Sequence, residues 1–232
     1  MPPSTGLICV SVTANDGQGI LDTVSPVLSL VDVVEIRLDT MLDPSMDGWI
    51  ASIPKPVLVT NRPTWEGGQC TANEHDRIAL LGAALRAGAQ YVDLELKTAP
   101  DLRIQVQNLA REQGAKVILS NHDFQSTPPL DRLRTTLQEM IACGADIGKI
   151  VTTATCPAET LRILSLQQEA MAADFPLSAF AMGAAGTISR LATLYLGGCM
   201  TYAAITAQQA TAPGQLAVHD LHALKTILEH PK

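Results

Sequence analysis

Gly144-Ala145-Asp146-Ile147-Gly148-Lys149-Ile150-Val151 holds a helix end, a strand and a misplaced charge in one short stretch. The glycine can adopt the left-handed conformation that terminates a helix. The apolar run after it predicts a strand covered on both faces, which is the habit of parallel sheets. The same order recurs at Gly88-Ala89 before Tyr91-Val92-Asp93-Leu94-Glu95-Leu96, and at Gly114-Ala115 before Val117-Ile118-Leu119-Ser120. Helix, Gly-Ala, strand is therefore the building unit of this chain.

Working outward, eight such runs are found, near residues 7–12, 31–38, 56–61, 90–96, 116–121, 146–151, 177–182 and 200–205. Eight βα units predict an α/β fold closed into a single (β/α)8 TIM barrel, one domain spanning residues 1–232. About 250 residues is a common size for such a barrel. The helices between the runs carry apolar stripes. Thr71-Ala72-Asn73-Glu74 predicts a capping box, with Ile78, Leu81 and Leu85 behind it. Leu102, Val106 and Leu109 form the next stripe, then Leu130, Leu133, Leu137 and Ile141. Leu161 and Leu164 follow Pro157, and a last helix beginning near Pro213 carries Leu221, Leu224 and Leu228.

The composition supports a large core, with 47% hydrophobic and 17% charged residues, but only 3% aromatics to fill it. A net charge of −7 disfavours nucleic acid and anionic membranes as partners, since both require a cationic face. No apolar run reaches the roughly 18 residues a membrane helix needs. The N-terminal Met-Pro-Pro-Ser-Thr-Gly has no basic segment, so no signal peptide is expected. Cys9, Cys70, Cys143, Cys156 and Cys199 are odd in number and scattered, which argues against disulfides or a structural zinc and points to the cytoplasm.

Chemistry in a parallel barrel gathers at the C-terminal ends of the strands. Glu35, Arg37 and Asp39 end the second run on one face, Arg62 follows the third, Asp93 and Glu95 share a face of the fourth, and His122 ends the fifth. Taken singly, each is best read as a solvated strand end. Lys149 is different, because it interrupts an apolar run. Burial favours the neutral amine of a lysine, the form that attacks carbonyls. A buried ion pair with Glu95 would explain the same position without catalysis. Arg37, Arg62, Lys149 and Arg190 together predict a cationic mouth that suits a small anionic substrate such as a carboxylate. No P-loop and no dinucleotide fingerprint is present.

These residues sit in segments that closely resemble the type I 3-dehydroquinate dehydratases. The segments are Val34-Glu35-Ile36-Arg37-Leu38-Asp39, Asn61-Arg62-Pro63-Thr64-Trp65-Glu66-Gly67-Gly68, Asp93-Leu94-Glu95 and Ser120-Asn121-His122-Asp123-Phe124. Asp146-Ile147-Gly148-Lys149-Ile150, Met182-Gly183-Ala184-Ala185-Gly186-Thr187-Ile188-Ser189-Arg190-Leu191 and Ala212-Pro213-Gly214-Gln215 continue the series. The resemblance implies a metal-free, cofactor-free dehydration of 3-dehydroquinate, and a homodimer. It implies Lys149 as the Schiff-base lysine, His122 as general acid and base, and Glu66 as the residue that orients His122. It implies Arg190 as the clamp on the substrate carboxylate, and Glu35, Arg37, Arg62 and Gln215 as further substrate contacts. Met182 would pack against the substrate ring, and Thr211 stands where the family usually has serine. With little sequence before the first strand, the N-terminal hairpin that some members carry is not expected here. The rival readings are a class I aldolase, which would share the lysine, and a silent barrel that only binds an anionic metabolite. His219 and His222 are set aside as a solvated helix face, and His75 and His230 as surface.

Overall fold

Three helices end in the same way. Gly88, Gly114 and Gly144 have φ of 100°, 68° and 72°. The amide after each glycine reaches back to a carbonyl in the last turn: Ala89 to Ala84, Ala115 to Ala110 and Ala145 to Met140. This reversal drops the chain from helix into strand, and it explains why Gly-Ala marks the unit. The computed structural model describes residues 6–46 and 48–229. The expected N-terminal difference and His230 lie outside these residues.

The strands are β1 (Leu7–Val12), β2 (Val33–Arg37), β3 (Val57–Thr60), β4 (Tyr91–Glu95), β5 (Lys116–His122), β6 (Ile147–Thr153), β7 (Leu177–Met182) and β8 (Met200–Ala204). All pair in parallel in the order β7-β6-β5-β4-β3-β2-β1-β8. Cys199 N donates to Leu177 O across the remaining seam at 2.9 Å, so the barrel is nearly closed. The helices are α1 (Gly17–Val24), α2 (Glu74–Arg86), α3 (Pro100–Glu112), α4 (Leu130–Ala142), α5 (Pro157–Ala172), α6 (Thr187–Tyr195) and α7 (Val218–Glu229).

Strand side chains alternate between two environments. One set, including Val10, Val34, Ile36, Val59, Val92, Leu94, Leu119 and Ile150, packs outward against the helices. The other set fills the barrel. Its apolar members include Cys9, Val33, Leu58, Ile118, Ile147 and Met200. On the same face, further along the strands, come Ser11, Glu35, Thr60, Asp93, Glu95, Ser120 and Lys149, all buried. On β2, β4, β5 and β6 the inward face thus changes from apolar to polar or charged along the strand, whereas β7 and β8 present Phe180, Met182 and Tyr202 there.

Four local expectations need correction. The N-cap of α2 is Asn73, whose side chain accepts from Asp76 N at 3.0 Å; Thr71 stands too far from the first turn to serve. The buried side of α5 is Thr160, Ile163, Leu166, Gln167 and Ala170, and Leu161 is 69% exposed. The last helix starts at Val218, because Pro213 and Gly214 form a turn in which Gly214 has φ +73°. Of its leucines, Leu221 is buried while Leu224 and Leu228 are exposed.

Candidate active site

Lys149 lies inside β6 and its side chain is 6% exposed. Nζ donates to Asp93 Oδ2 at 2.9 Å and lies 3.6 Å from Glu35 Oε1. It also stands 3.8 Å from the centre of the Tyr202 ring. The anionic partner is therefore Asp93 and not Glu95. The ladder aligns Lys149 with Ser120 and Ser120 with Glu95. Strand tilt in a closed barrel shifts the level by about one residue per strand. Two strands away, the residue level with Lys149 is two short of Glu95.

Glu95 has other partners. Arg62 Nη1 donates to Glu95 Oε1 at 2.5 Å and to Ser120 Oγ at 2.7 Å, and Nη2 is 2.8 Å from Asp93 Oδ2. Arg77, on α2, reaches Glu95 Oε2 at 2.6 Å and Glu74 Oε2 at 2.8 Å. Alternating charges run from Lys149 through Asp93, Arg62, Glu95 and Arg77 to Glu74. Burial opposes the charge on Arg62, but Asp93 and Glu95 outweigh it and hold the guanidinium pKa above its ordinary value. Burial also opposes ionisation of Asp93, yet Arg62 and Lys149 carry its pKa well below the usual carboxylate range.

His122 ends β5 and meets Glu66, which follows β3 in a short turn, Thr64–Glu66. Glu66 Oε1 accepts the backbone N–H of His122 at 3.0 Å and lies 2.9 Å from Nδ1. Burial pushes the Glu66 carboxyl up to about 8. Burial, then Arg62 and Lys149, push His122 well below the ordinary imidazole value. Both shifts agree on a neutral imidazole beside a neutral carboxyl near pH 7. With Oε1 already accepting an amide, Nδ1 is best satisfied as a donor to it, which leaves Nε2 as the basic nitrogen. Phe124 stacks on the imidazole with ring centres 6.0 Å apart.

Arg190, near the start of α6, is 2% exposed and has no carboxylate partner among the described residues. Nη2 donates to Pro213 O at 3.2 Å, Nε has no partner, and the guanidinium lies over the Phe180 ring. Burial alone lowers its pKa to about 10. Arg37 differs, because both Nε (2.9 Å) and Nη2 (2.7 Å) are held by Asp39. Glu35 accepts a short hydrogen bond from Ser11 Oγ and another from Thr60 Oγ1 at 2.8 Å. Gln215 Oε1 accepts from Thr211 N at 2.7 Å and from Thr211 Oγ1 at 3.1 Å.

The ten residues assigned to the site from the sequence line one solvent-open cavity: Glu35, Arg37, Arg62, Glu66, His122, Lys149, Met182, Arg190, Thr211 and Gln215. The expected cationic mouth is corrected in one respect. Carboxylates interleave with the cations, so among the described residues Arg190 is the guanidinium there without one. Sequence reasoning missed Tyr202, Ser11 and the buried Arg77, and gave Asp93 no role. Tyr202 had a signal, being an aromatic at an inward position of β8 in a chain with few aromatics.

Comparison with known proteins agrees with this geometry. Residues 8–231 match the family model described as Type I 3-dehydroquinase. The 3-dehydroquinate dehydratase of Desulfotalea psychrophila is 42% identical over 193 residues, covering 83% of this chain and 85% of that protein. The crystal structure of 3-dehydroquinate dehydratase from Geobacillus kaustophilus superposes with a TM-score of 0.88 at 28% identity, covering 98% of this chain and 93% of that one. The type I 3-dehydroquinate dehydratase of Clostridium difficile, solved with covalently modified comenic acid, gives 0.88 at 25% identity, covering 98% and 94%. With nearly its whole length matched by the family model, the chain belongs to the type I 3-dehydroquinase family.

Proposed function

We propose that this protein dehydrates 3-dehydroquinate to 3-dehydroshikimate by a syn elimination through a Schiff base on Lys149, in the shikimate route to aromatic amino acids. Lys149 Nζ adds to the ketone and water leaves, giving a protonated imine that acidifies the adjacent C–H. His122 takes that proton through Nε2, leaving an enamine. The enamine expels the hydroxyl one carbon further on, and the same imidazolium returns its proton to that oxygen. Hydrolysis of the imine then frees the product and Lys149.

The supporting observation is that an amine, a neutral imidazole and a buried guanidinium lacking a carboxylate share one cavity. Glu66 orients His122. Arg190 offers its fork to the substrate carboxylate, which supplies the missing anion. Glu35, Arg37, Arg62, Thr211 and Gln215 bind the hydroxyls and carboxylate, and Met182 packs against the ring.

Borohydride reduction in the presence of 3-dehydroquinate tests the mechanism. The expected result is irreversible inactivation with a mass adduct on Lys149. Turnover that survives this treatment without an adduct rules the Schiff base out. Lys149→Ala is expected to bind substrate without converting it.

A further inference from the structure

We infer that Tyr202 is a catalytic residue whose ring face stabilises the positively charged Schiff-base nitrogen of Lys149. The inference rests on the imine mechanism proposed above, and its geometry is already present in the free protein. Nζ lies 3.8 Å from the ring centre, close enough for a cation–π attraction. Tyr202 is 4% exposed, so water does little to screen that attraction. The ring is wedged against Phe180, with centres 5.9 Å apart, and its strand is paired with β1. Its hydroxyl makes no hydrogen bond to any described residue. The ring face, and not the phenol oxygen, is what meets Lys149.

The reason a ring belongs here lies in how Nζ changes during the reaction. The lysine ammonium has three N–H donors, and the carboxylates facing it are Asp93 at 2.9 Å and Glu35 at 3.6 Å. When the ammonium and the ketone condense, the carbonyl oxygen leaves as water and takes two of those hydrogens. The product nitrogen keeps the positive charge but has one N–H. It can no longer hydrogen-bond to both carboxylates. Attraction to a π face needs no donor, so it survives the change intact. The other charges nearby push the opposite way: Arg62 shares Asp93 with Lys149, and protonated His122 would add a further cation during turnover. A neutral imine is a poor electron sink, so holding the nitrogen in its cationic form matters to the elimination.

The test replaces Tyr202 with Phe and then with mono-, di- and trifluorinated phenylalanines, which keep the ring's shape while draining its negative face. Tyr202→Phe is the reference, because the hydroxyl has no partner to lose. The rate of borohydride reduction at Lys149 with 3-dehydroquinate is expected to fall stepwise along the series, by about tenfold in all. Melting temperature is expected to stay constant. A flat series would overturn the inference and leave the ring as packing only, most clearly if Tyr202→Leu were still impaired. Failure of trapping in the unsubstituted protein would instead remove the imine mechanism itself, so the two failures are distinguishable.

Discussion

Asp93 Oδ2 is shared by two cations, Lys149 Nζ at 2.9 Å and Arg62 Nη2 at 2.8 Å. One buried carboxylate oxygen therefore fixes the amine and ties it to the charge chain that reaches Arg77. The arrangement gives Lys149 a defined position through a shared carboxylate at 2.9 Å, with Glu35 farther off at 3.6 Å.

Asp93→Asn should expose that dependence. Two buried cations would lose their common anion, and breaking such a pair costs on the order of 3 kcal/mol. Urea denaturation is expected to show that loss, and turnover should fall at least tenfold. Wild-type stability in the variant would mean that solvent already satisfies Lys149 and Arg62.

Arg190→Met separates binding from folding. The guanidinium is buried with no carboxylate, and burial has lowered its pKa from 12.5 to about 10. Below pH 10 the fold therefore bears the cost of keeping it charged. The variant is expected to be as stable as the parent or more so, by up to about 3 kcal/mol. KM should rise 10- to 100-fold, the loss of about two charge-assisted hydrogen bonds. A stable variant with unchanged KM would show that the carboxylate binds elsewhere.

The pH dependence follows from the His122 and Glu66 pair. His122 has a folded pKa well below 6.5, so kcat/KM should rise with pH through a midpoint below 6.5 and then level off. Glu66 has a folded pKa near 8 against 4.5 for an ordinary glutamate. Between those values the folded state holds a proton the unfolded state has released, so its contribution to stability falls as pH rises. Glu66→Gln cannot ionise. Thermal melts from pH 5 to 8 should show its stability relative to the parent improving with pH, and a constant difference would contradict the raised pKa.

Gly67→Ala tests the support behind His122. Gly67 has φ +77°, and a Cβ there would stand 2.2 Å from Phe124 Cζ, in the ring that stacks on the imidazole. The substitution should displace Phe124 and lower kcat more than tenfold. Combining it with Phe124→Leu should cost less than the two changes added together, because their clash disappears. Strict additivity in a double-mutant cycle would mean the two do not interact.

The sequence by itself determined the barrel and most of its cavity, because both are written in local order. A left-handed glycine followed by an apolar run is a short-range instruction that marks β4, β5 and β6, and the apolar runs alone place the other five strands to within a few residues. Alternation along each strand then put Glu35, Arg37, Asp93, Glu95, His122 and Lys149 on inward faces. The helix details were less legible: Asn73 and Thr71 compete for one cap, and Leu161 looks apolar wherever it points. Only the tertiary structure decided who pairs with whom. Strand tilt brings Asp93 and not Glu95 to Lys149, a consequence of barrel closure that no segment encodes alone. It also lays Tyr202 against Nζ from β8, two strands away across the seam, and leaves Arg190 without a carboxylate among the described residues. Those relationships depend on distances between strands far apart in the chain, and charge interactions in a buried site are decided by such distances.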